Sequence, residues 1–395
     1  MDNELYQRIR GVLIGGALGD AYGMPTEFFT RRQLMEKFPE GIHEMLHSLN
    51  ESSFIQRDFQ AGTVTDDTIN TVMILNSIVS NNGSINTQQY IDSLIDWIKK
   101  SDDAQLVCGP STLKAVEAIQ AGGSFKKTGF GSTTNGAAMK IAPIGIVSDY
   151  MNLNDLMEKV YQICLPTHNT AIAVSGACVI AACVSYAISG GNNIEELWNL
   201  AIRVADESKN LGAEFPSPSL TWRISHARNI VKNTDCNDAI ERIVNEIGTG
   251  VETIEAIPSV LAVVHLAQGD PLKAAQISAT LGADTDTIGV REHGAIDIQH
   301  ANNLLIHHQR QYDFGVTGGI TGNVPIKSMN IFYALNAIFR YCGPANATAY
   351  RDTHAGNFAL KRPEYQRIAF QQVKTGPVHV RQALVQQRAG IGDYR

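Results

Sequence analysis

The chain has 395 residues, of which 44% are apolar and 18% are charged, a composition typical of a globular protein with a sizeable core and not of a disordered chain. The formal net charge of -7 argues against general nucleic-acid binding, because an acidic surface repels phosphate backbones. The six cysteines are scattered and form no Cys-x-x-Cys pair, which argues against a zinc site and against a disulfide framework.

Apolar residues recur at helical spacing along most of the chain. Runs that alternate at strand spacing, such as IVKN and FGVT, are short and isolated. The pattern predicts an all-α fold, a compact globule of many helices joined by Gly, Pro, Asn and Asp punctuation. The predicted helices lie near residues 4–24, 66–80, 87–99, 110–121, 134–141, 153–164, 170–189, 193–206, 253–267, 271–281, 286–304 and 328–342.

The first predicted helix carries a glycine at every fourth position from Gly11 to Gly23. Each glycine inside a helix costs about 1 kcal/mol relative to alanine, so we expect a second helix to approach this row closely. Asp20 lies beside the row. Pro25 ends the helix and leaves Glu27 at the start of a loop, where local sequence alone favours a solvated carboxylate.

Two acidic segments lie at predicted helix starts, where Asp and Thr also serve as simple caps. Taken alone, each segment fits a cap as well as a metal site. The first contains adjacent aspartates, which repel each other unless a cation lies between them. Together the segments offer only oxygen donors, a set that suits Mg²⁺ or Mn²⁺ and not zinc, provided that the two segments meet in space. The four carboxylates are those of Asp66, Asp67, Asp284 and Asp286, and two or three threonine hydroxyls accompany them.

One apolar stretch, residues 171–188, is long enough to span a membrane. It is rich in Ala, Gly, Cys and Ser and lacks flanking aromatic residues, so we expect a buried core helix and no association with a membrane. The first ten residues, MDNELYQRIR, carry no apolar signal segment. We therefore expect a cytoplasmic protein.

The end of the chain differs in composition from the rest. Residues 351–395 hold eight Lys/Arg against three Asp/Glu, a net charge of +5. We interpret this polar stretch as a peripheral extension, or as an arm that packs on a neighbouring subunit of a homo-oligomer, in preference to a functional basic patch.

Four motifs in order make the sequence recognisable: Gly-x3-Gly-x3-Gly-Asp-x2-Gly-x-Pro-x-Glu, Thr-Asp-Asp-Thr, Asn-Gly-Ala-Ala-Met-Lys and Gly-x-Asp-Thr-Asp-Thr-Ile-Gly. This combination resembles the ADP-ribosylglycohydrolase family, which includes the dinitrogenase reductase-activating glycohydrolase. The resemblance implies one all-α domain over residues 1–345 with two Mg²⁺ (or Mn²⁺) ions in a central cleft, followed by the basic extension over residues 346–395.

The resemblance also implies roles for individual residues. The candidate metal ligands that would hold the two ions are Thr65, Asp66, Asp67, Asp284, Asp286 and Thr287. Glu27 would lie on a mobile loop beside them. Glu27 and Asp286 are the candidate catalytic residues, either of which could take a proton from water or protonate the leaving atom. The loop that holds ADP-ribose, and a histidine near the diphosphate, match Gly131, Ser132, Asn135, Gly136, Met139 and His168.

The implied activity is metal-dependent hydrolysis of the ribosyl C1″ glycosidic bond in ADP-ribosylated protein side chains or small ADP-ribosyl conjugates. One alternative is a hydrolase of smaller ribosyl compounds, such as nucleosides or nucleotides, on the same dinuclear site. A non-catalytic binding homologue is a third, disfavoured because every metal position keeps a ligating side chain. Val107 stands where members that act on arginine linkages commonly carry Asp, and Lys140 replaces the usual Arg. A charged run over residues 291–293 replaces small residues.

Overall fold

The computed structural model describes residues 3–50 and 56–290, and in this part of the chain helices are joined by loops without a β-strand. The all-α fold predicted from the sequence is confirmed. The predicted helix over 328–342, the part of the 286–304 helix after residue 290, the FGVT run and the C-terminal extension lie outside the described residues. The α-helices are α1 (Asn3–Gly23), α2 (Arg31–Lys37), α3 (Asp66–Ser80), α4 (Thr87–Lys100), α5 (Ala104–Val107), α6 (Pro110–Gln120), α7 (Phe125–Thr128), α8 (Ala142–Ile146), α9 (Leu153–Cys164), α10 (Ala171–Ile188), α11 (Ile194–Ser208), α12 (Leu220–Asn233), α13 (Cys236–Arg242), α14 (Thr253–Ala267), α15 (Pro271–Leu281) and α16 (Thr285–Val290).

The long helices begin and end within a few residues of their predicted bounds, because apolar spacing coincides there with a capping side chain. Asn86 caps α4 and Thr170 caps α10, each by accepting a hydrogen bond from a backbone amide of the first turn. Helix α12 was not predicted from the sequence, although Ser219 caps it in the same way. The strand-type run IVKN is the last turn of α12.

The predicted helix over residues 134–141 is wrong. Only Asn135–Ala137 forms a single 3₁₀ turn. The backbone amide of Asn135 donates to the carbonyl of Val251 at 2.8 Å, and Thr134 forms an isolated antiparallel bridge with Glu252. These contacts with the start of α14 replace the hydrogen bonds that a helix would make within itself.

Helix α16 packs against α1 at Gly19 and Gly23, the last two glycines of the row. A Cβ atom built on Gly19 would lie 2.0 Å from the carbonyl oxygen of Gly289, and one on Gly23 would lie 2.3 Å from that of Thr285. Such distances are possible only without a side chain, so the close approach predicted from the glycine spacing is confirmed at Gly19 and Gly23. The contact brings the chain around Asp20 to the start of α16.

Helix α10 runs through the centre of the core, surrounded by α8, α9, α11 and α14. Among the described residues it is the one helix long and apolar enough to cross a membrane, yet 89% of its residues are buried inside the protein. Burial by other helices accounts for its apolar composition, as the core-helix interpretation expects.

Candidate active site and metal centre

The first acidic segment is capped by a residue from another helix. Asp20 is completely buried in α1. Its carboxylate accepts hydrogen bonds from the backbone amides of Thr65 and Thr68 at 3.0 and 3.2 Å, and from the Thr68 hydroxyl at 2.6 Å. Because Asp20 and Thr65 cap the start of α3, the side chains of Asp66 and Asp67 are not needed as caps. The Oδ1 atom of Asp67 is buried and has no hydrogen-bond partner among the described residues.

The second acidic segment is held by both neighbouring loops. The side-chain amide of Asn135 donates to the Asp284 carboxylate, and the backbone amide of Asp284 donates to the carbonyl of Thr249 at 2.9 Å. The hydroxyl of Thr285 donates to the carbonyl of Gly23 at 2.8 Å. These bonds tie the start of α16 to the end of α1 and to the 3₁₀ turn at Asn135.

Glu27 is held against this second segment by paired backbone hydrogen bonds. The amide of Phe28 donates to the carbonyl of Ala283 at 2.7 Å, and the amide of Ala283 donates to the carbonyl of Phe29 at 2.8 Å. Phe28 and Ala283 both have positive φ angles, of 66° and 63°, a conformation that side chains other than glycine rarely adopt. Strain at two residues beside an acidic cluster is typical of a functional site.

The local interpretation of Glu27 as a solvated carboxylate is wrong. Its side chain is only 10% exposed and forms a buried ion pair with Arg57. The Nε of Arg57 donates to the carbonyl of Leu106 at 3.0 Å, so the guanidinium is fixed on both sides. Carboxylate oxygens of Glu27, Asp284 and Asp286 all lie within 4.8 Å of one another, a separation at which one metal ion could contact all three. The family resemblance implies that Glu27 lies beside the metal ions, and the geometry brings its carboxylate into the tightest group.

Electrostatics favour a cation in this cluster. Burial raises the pKa of Asp20 and of Asp66 to about 7, and the nearby charge of Asp286 adds to each shift. The same two causes raise the pKa of Asp67 and of Glu27 well above their ordinary values. So many buried carboxylates cannot all ionise without a compensating positive charge. The oxygen donors and the unpartnered Asp67 Oδ1 fit a hard divalent cation.

The remaining candidate ligands lie close to this group. Thr65 is buried at the start of α3, where its hydroxyl lies 3.4 Å from the Oδ2 atom of Asp67. Thr287 is buried beside Asp286, and its backbone amide donates to the Asp286 carboxylate at 2.8 Å. Asp66 and Asp67 stand outside the tightest group, although the charge of Asp286 raises the pKa of both.

The candidate substrate loop adjoins the carboxylates through the Asn135 side chain. A Cβ atom built on Gly136 would lie 2.5 Å from the Nε2 atom of His168, so only glycine allows that imidazole to pack against the loop. Gly131 has a φ angle of 94°, which turns the chain into the loop. Ser132 and Met139 are buried, and the carbonyl of Ser132 accepts a hydrogen bond from the Thr170 hydroxyl at 2.6 Å.

Sequence reasoning missed two residues of the site. Asp20 is a carboxylate inside a predicted apolar helix, and this position could have indicated that it is buried and accepts hydrogen bonds from the protein. Arg57 lies in a polar stretch without a pattern, and nothing in the sequence indicates that it reaches Glu27.

Comparison with known proteins places this geometry in context. The family model for ADP-ribosylglycohydrolase matches residues 1–290. The chain is 32% identical over 305 residues to YegU, an uncharacterised protein of Escherichia coli strain K12, with 76% of this chain and 89% of that protein aligned. It is 26% identical over 313 residues to the ADP-ribosylhydrolase ARH3 of Xenopus tropicalis, with 71% and 83% aligned.

The fold also matches a solved structure. A structure described as an ADP-ribosylglycohydrolase-related protein complex superposes with a TM-score of 0.54 at 19% identity, covering 93% of this chain and 98% of that chain. At this identity the likeness concerns the fold alone.

Proposed function

The chain belongs to the ADP-ribosylglycohydrolase family, and from this membership we propose that it hydrolyses the ribosyl C1″ glycosidic bond of ADP-ribosylated protein side chains or of small ADP-ribosyl conjugates. The observation that carries the proposal is the buried group of Glu27, Asp284 and Asp286. Asn135 links that group directly to the candidate substrate loop. A ribose held at the carboxylates and a diphosphate held by the loop would therefore belong to one ligand.

We propose that the site takes two Mg²⁺ or Mn²⁺ ions. When bound, such ions lower the pKa of a coordinated water and neutralise the buried carboxylates. The start of α3 supplies one set of oxygen donors and the start of α16 supplies the other. The residues that would hold the ions are Thr65, Asp66, Asp67, Asp284, Asp286 and Thr287.

The carboxylates have a further task at the glycosidic bond. Cleavage at C1″ builds positive charge on the ribose ring, and carboxylates fixed in a site shielded from water stabilise that charge. Glu27 and Asp286 are the groups that could move a proton between water and the leaving atom. Arg57 holds Glu27 in place for this step, because its ion pair and its bond to Leu106 fix the carboxylate from one side.

The buried Arg57 supports a proposal about the leaving group. Its guanidinium is 7% exposed and contacts Glu27. An arginine-linked substrate would place a second guanidinium near this charge, whereas a hydroxyl-linked one would not. Val107 directly follows Leu106, whose carbonyl binds Arg57. Because position 107 is valine, it supplies no carboxylate to pair with a substrate guanidinium. We therefore propose an uncharged linkage, such as an O-glycosidic bond to a serine side chain or to an acyl group.

Mass spectrometry of reaction products tests the proposal. The protein would be incubated with Mg²⁺, or with EDTA, and with serine-linked and arginine-linked ADP-ribosyl peptides and O-acetyl-ADP-ribose. We expect free ADP-ribose with metal only, and more from the O-linked substrates. Asp286→Asn should lose this activity, while Asp206→Asn, which changes an exposed carboxylate, should keep it. Release without metal, or full activity of Asp286→Asn, would contradict the proposal.

A second candidate function keeps the carboxylates and changes the ligand. The departures from the family pattern at Val107 and at residues 291–293 favour smaller ribosyl compounds such as nucleosides or nucleotides. Release of ribose or ribose phosphate without ADP-ribose in the same assay would support it. A cytoplasmic location, and assembly of copies through residues 346–395, stay proposals that concern the whole chain.

A further inference from the structure

A buried lysine lies at one end of a chain of hydrogen bonds that leads to the substrate loop. Lys140 is completely buried, and its Nζ donates to the Thr167 hydroxyl at 3.0 Å. The ammonium also lies 5.5 Å from the centre of the Tyr90 ring, a favourable position for a cation. Burial lowers the pKa of Lys140 to about 8, which still leaves the amine mostly protonated at neutral pH. A protonated lysine can only donate hydrogen bonds.

The next link connects Thr167 with His168. The Thr167 hydroxyl oxygen lies 2.8 Å from the Nδ1 atom of His168. Because this oxygen already accepts a hydrogen bond from Lys140, the single Thr167 hydroxyl hydrogen is available for Nδ1. The ring nitrogen then acts as an acceptor, which means that His168 carries its proton on Nε2.

The other protonation states of His168 fit less well. With a proton on Nδ1, the Thr167 hydroxyl hydrogen would be buried with no acceptor among the described residues, and an unmade buried hydrogen bond is costly. A doubly protonated ring is disfavoured because burial and the charge of Lys140 lower the pKa of His168 well below its ordinary value.

The hydrogen-bond chain continues from His168 into the substrate loop. The Nε2 atom lies 3.1 Å from the Thr134 hydroxyl, which in turn lies 3.3 Å from the Ser132 hydroxyl. If Nε2 donates to Thr134, the Thr134 hydrogen points to Ser132. The Ser132 hydroxyl then accepts this bond and has its own hydrogen free for a ligand.

We propose that Lys140 sets the direction of this hydrogen-bond chain, so that Ser132 offers an O–H donor to an anionic oxygen of the substrate diphosphate. With the opposite direction, Ser132 would turn its hydrogen inward and present lone pairs to a negatively charged oxygen. Lys140 is thus a positioning residue that acts through Thr167, His168 and Thr134. The direction of the hydrogen-bond chain follows from its geometry and from the charge of Lys140, whereas the ligand rests on the proposed function.

Nitrogen NMR of the ligand-free protein tests the direction. The histidines would be labelled with ¹⁵N, and the His168 signals would be identified as those missing in His168→Gln. We expect an unprotonated Nδ1 and a protonated Nε2. Lys140→Met removes the donor, so its His168 should become a mixture of both tautomers, whereas Lys140→Arg keeps a donor and should retain the Nε2-protonated form.

Calorimetric titration with ADP-ribose adds the functional readout. Loss of one well-directed donor to a charged oxygen should weaken binding about tenfold in Lys140→Met, and Lys140→Arg should bind nearly as tightly as the original protein. Circular dichroism melting of both variants would show whether the helices remain intact.

Several results would overturn the inference. A protonated Nδ1 in the original protein refutes the direction, and this measurement needs no variant that could fail to fold. An unchanged tautomer in a folded Lys140→Met refutes the role of Lys140. If the original protein shows the expected tautomer but does not bind ADP-ribose, the proposed function fails while the direction of the chain stands.

Discussion

Replacing Gly19 with alanine tests the contact that joins α1 to α16. In an ordinary helix interior this change stabilises by about 1 kcal/mol, because alanine is the better helix former. Here the new Cβ atom would lie 2.0 Å from the backbone oxygen of Gly289, and a backbone atom cannot move away as a flexible side chain can. The two helices must separate.

The magnitude follows from these opposing terms. Forcing extra atoms into a packed core costs about 1–3 kcal/mol, and a clash with backbone belongs at the upper end of this range. Subtracting the gain in helix propensity leaves Gly19→Ala less stable by about 2 kcal/mol. Because Asp286 lies in α16 and Asp284 directly precedes it, the separation should also weaken metal binding.

Urea unfolding followed by circular dichroism gives the free energy of unfolding. Gly109→Ala is the control, because its added Cβ would meet no atom within 4 Å and its φ angle of -62° suits alanine. We expect the control to change stability by less than about 0.5 kcal/mol. A Gly19→Ala protein as stable as the original, or more stable, would refute the argument that backbone contact requires the glycine row.

The remaining predictions concern the carboxylates. Mg²⁺ at about 100 times its Kd should raise the free energy of unfolding by about 2.7 kcal/mol. Asp286→Asn should lose most of this gain, and its activity should fall roughly 100-fold. An equal gain in that variant would contradict the metal site. In EDTA, the free energy of unfolding should fall as the pH rises from about 4 to about 7. Asp20 and Asp66 have a pKa of about 7 in the folded protein against 3.8 when unfolded, so the folded state holds more protons in this range. Thermal melting at several pH values checks this slope, which Mg²⁺ should reduce, and a flat profile in EDTA would count against the raised values. Arg57→Met should lower the free energy of unfolding by about 3–5 kcal/mol because it leaves Glu27 buried without its partner, and the loss should be smaller in acid, where Glu27 takes up a proton. Arg57→Lys keeps the positive charge and should recover part of this loss in the same urea assay. Equal losses in the two variants would contradict a charge effect.

Local sequence was sufficient for the long helices. Apolar spacing and capping residues act within a few turns of the chain, so the bounds of α3, α10 and α15 follow from nearby residues. The glycine row also predicted its own close contact, because the cost of glycine in a helix must be offset by something. Local reasoning failed at residues 134–141, where backbone hydrogen bonds with Val251 and Thr253, more than a hundred positions away, replace the helix.

The composition of the site was visible in the sequence, because its motifs keep the oxygen ligands that a divalent cation needs. The burial and pairing of its charged groups were not visible in the sequence. Glu27 looks solvated by its neighbours in sequence, and only the fold buries it and pairs it with Arg57. Asp20 and Lys140 likewise gain distant partners: Thr68 on α3 and Thr167 in the loop between α9 and α10. Helix propensity and capping depend on contacts within a few residues, whereas burial, ion pairing and the direction of a hydrogen-bond chain depend on which distant segments the fold brings together.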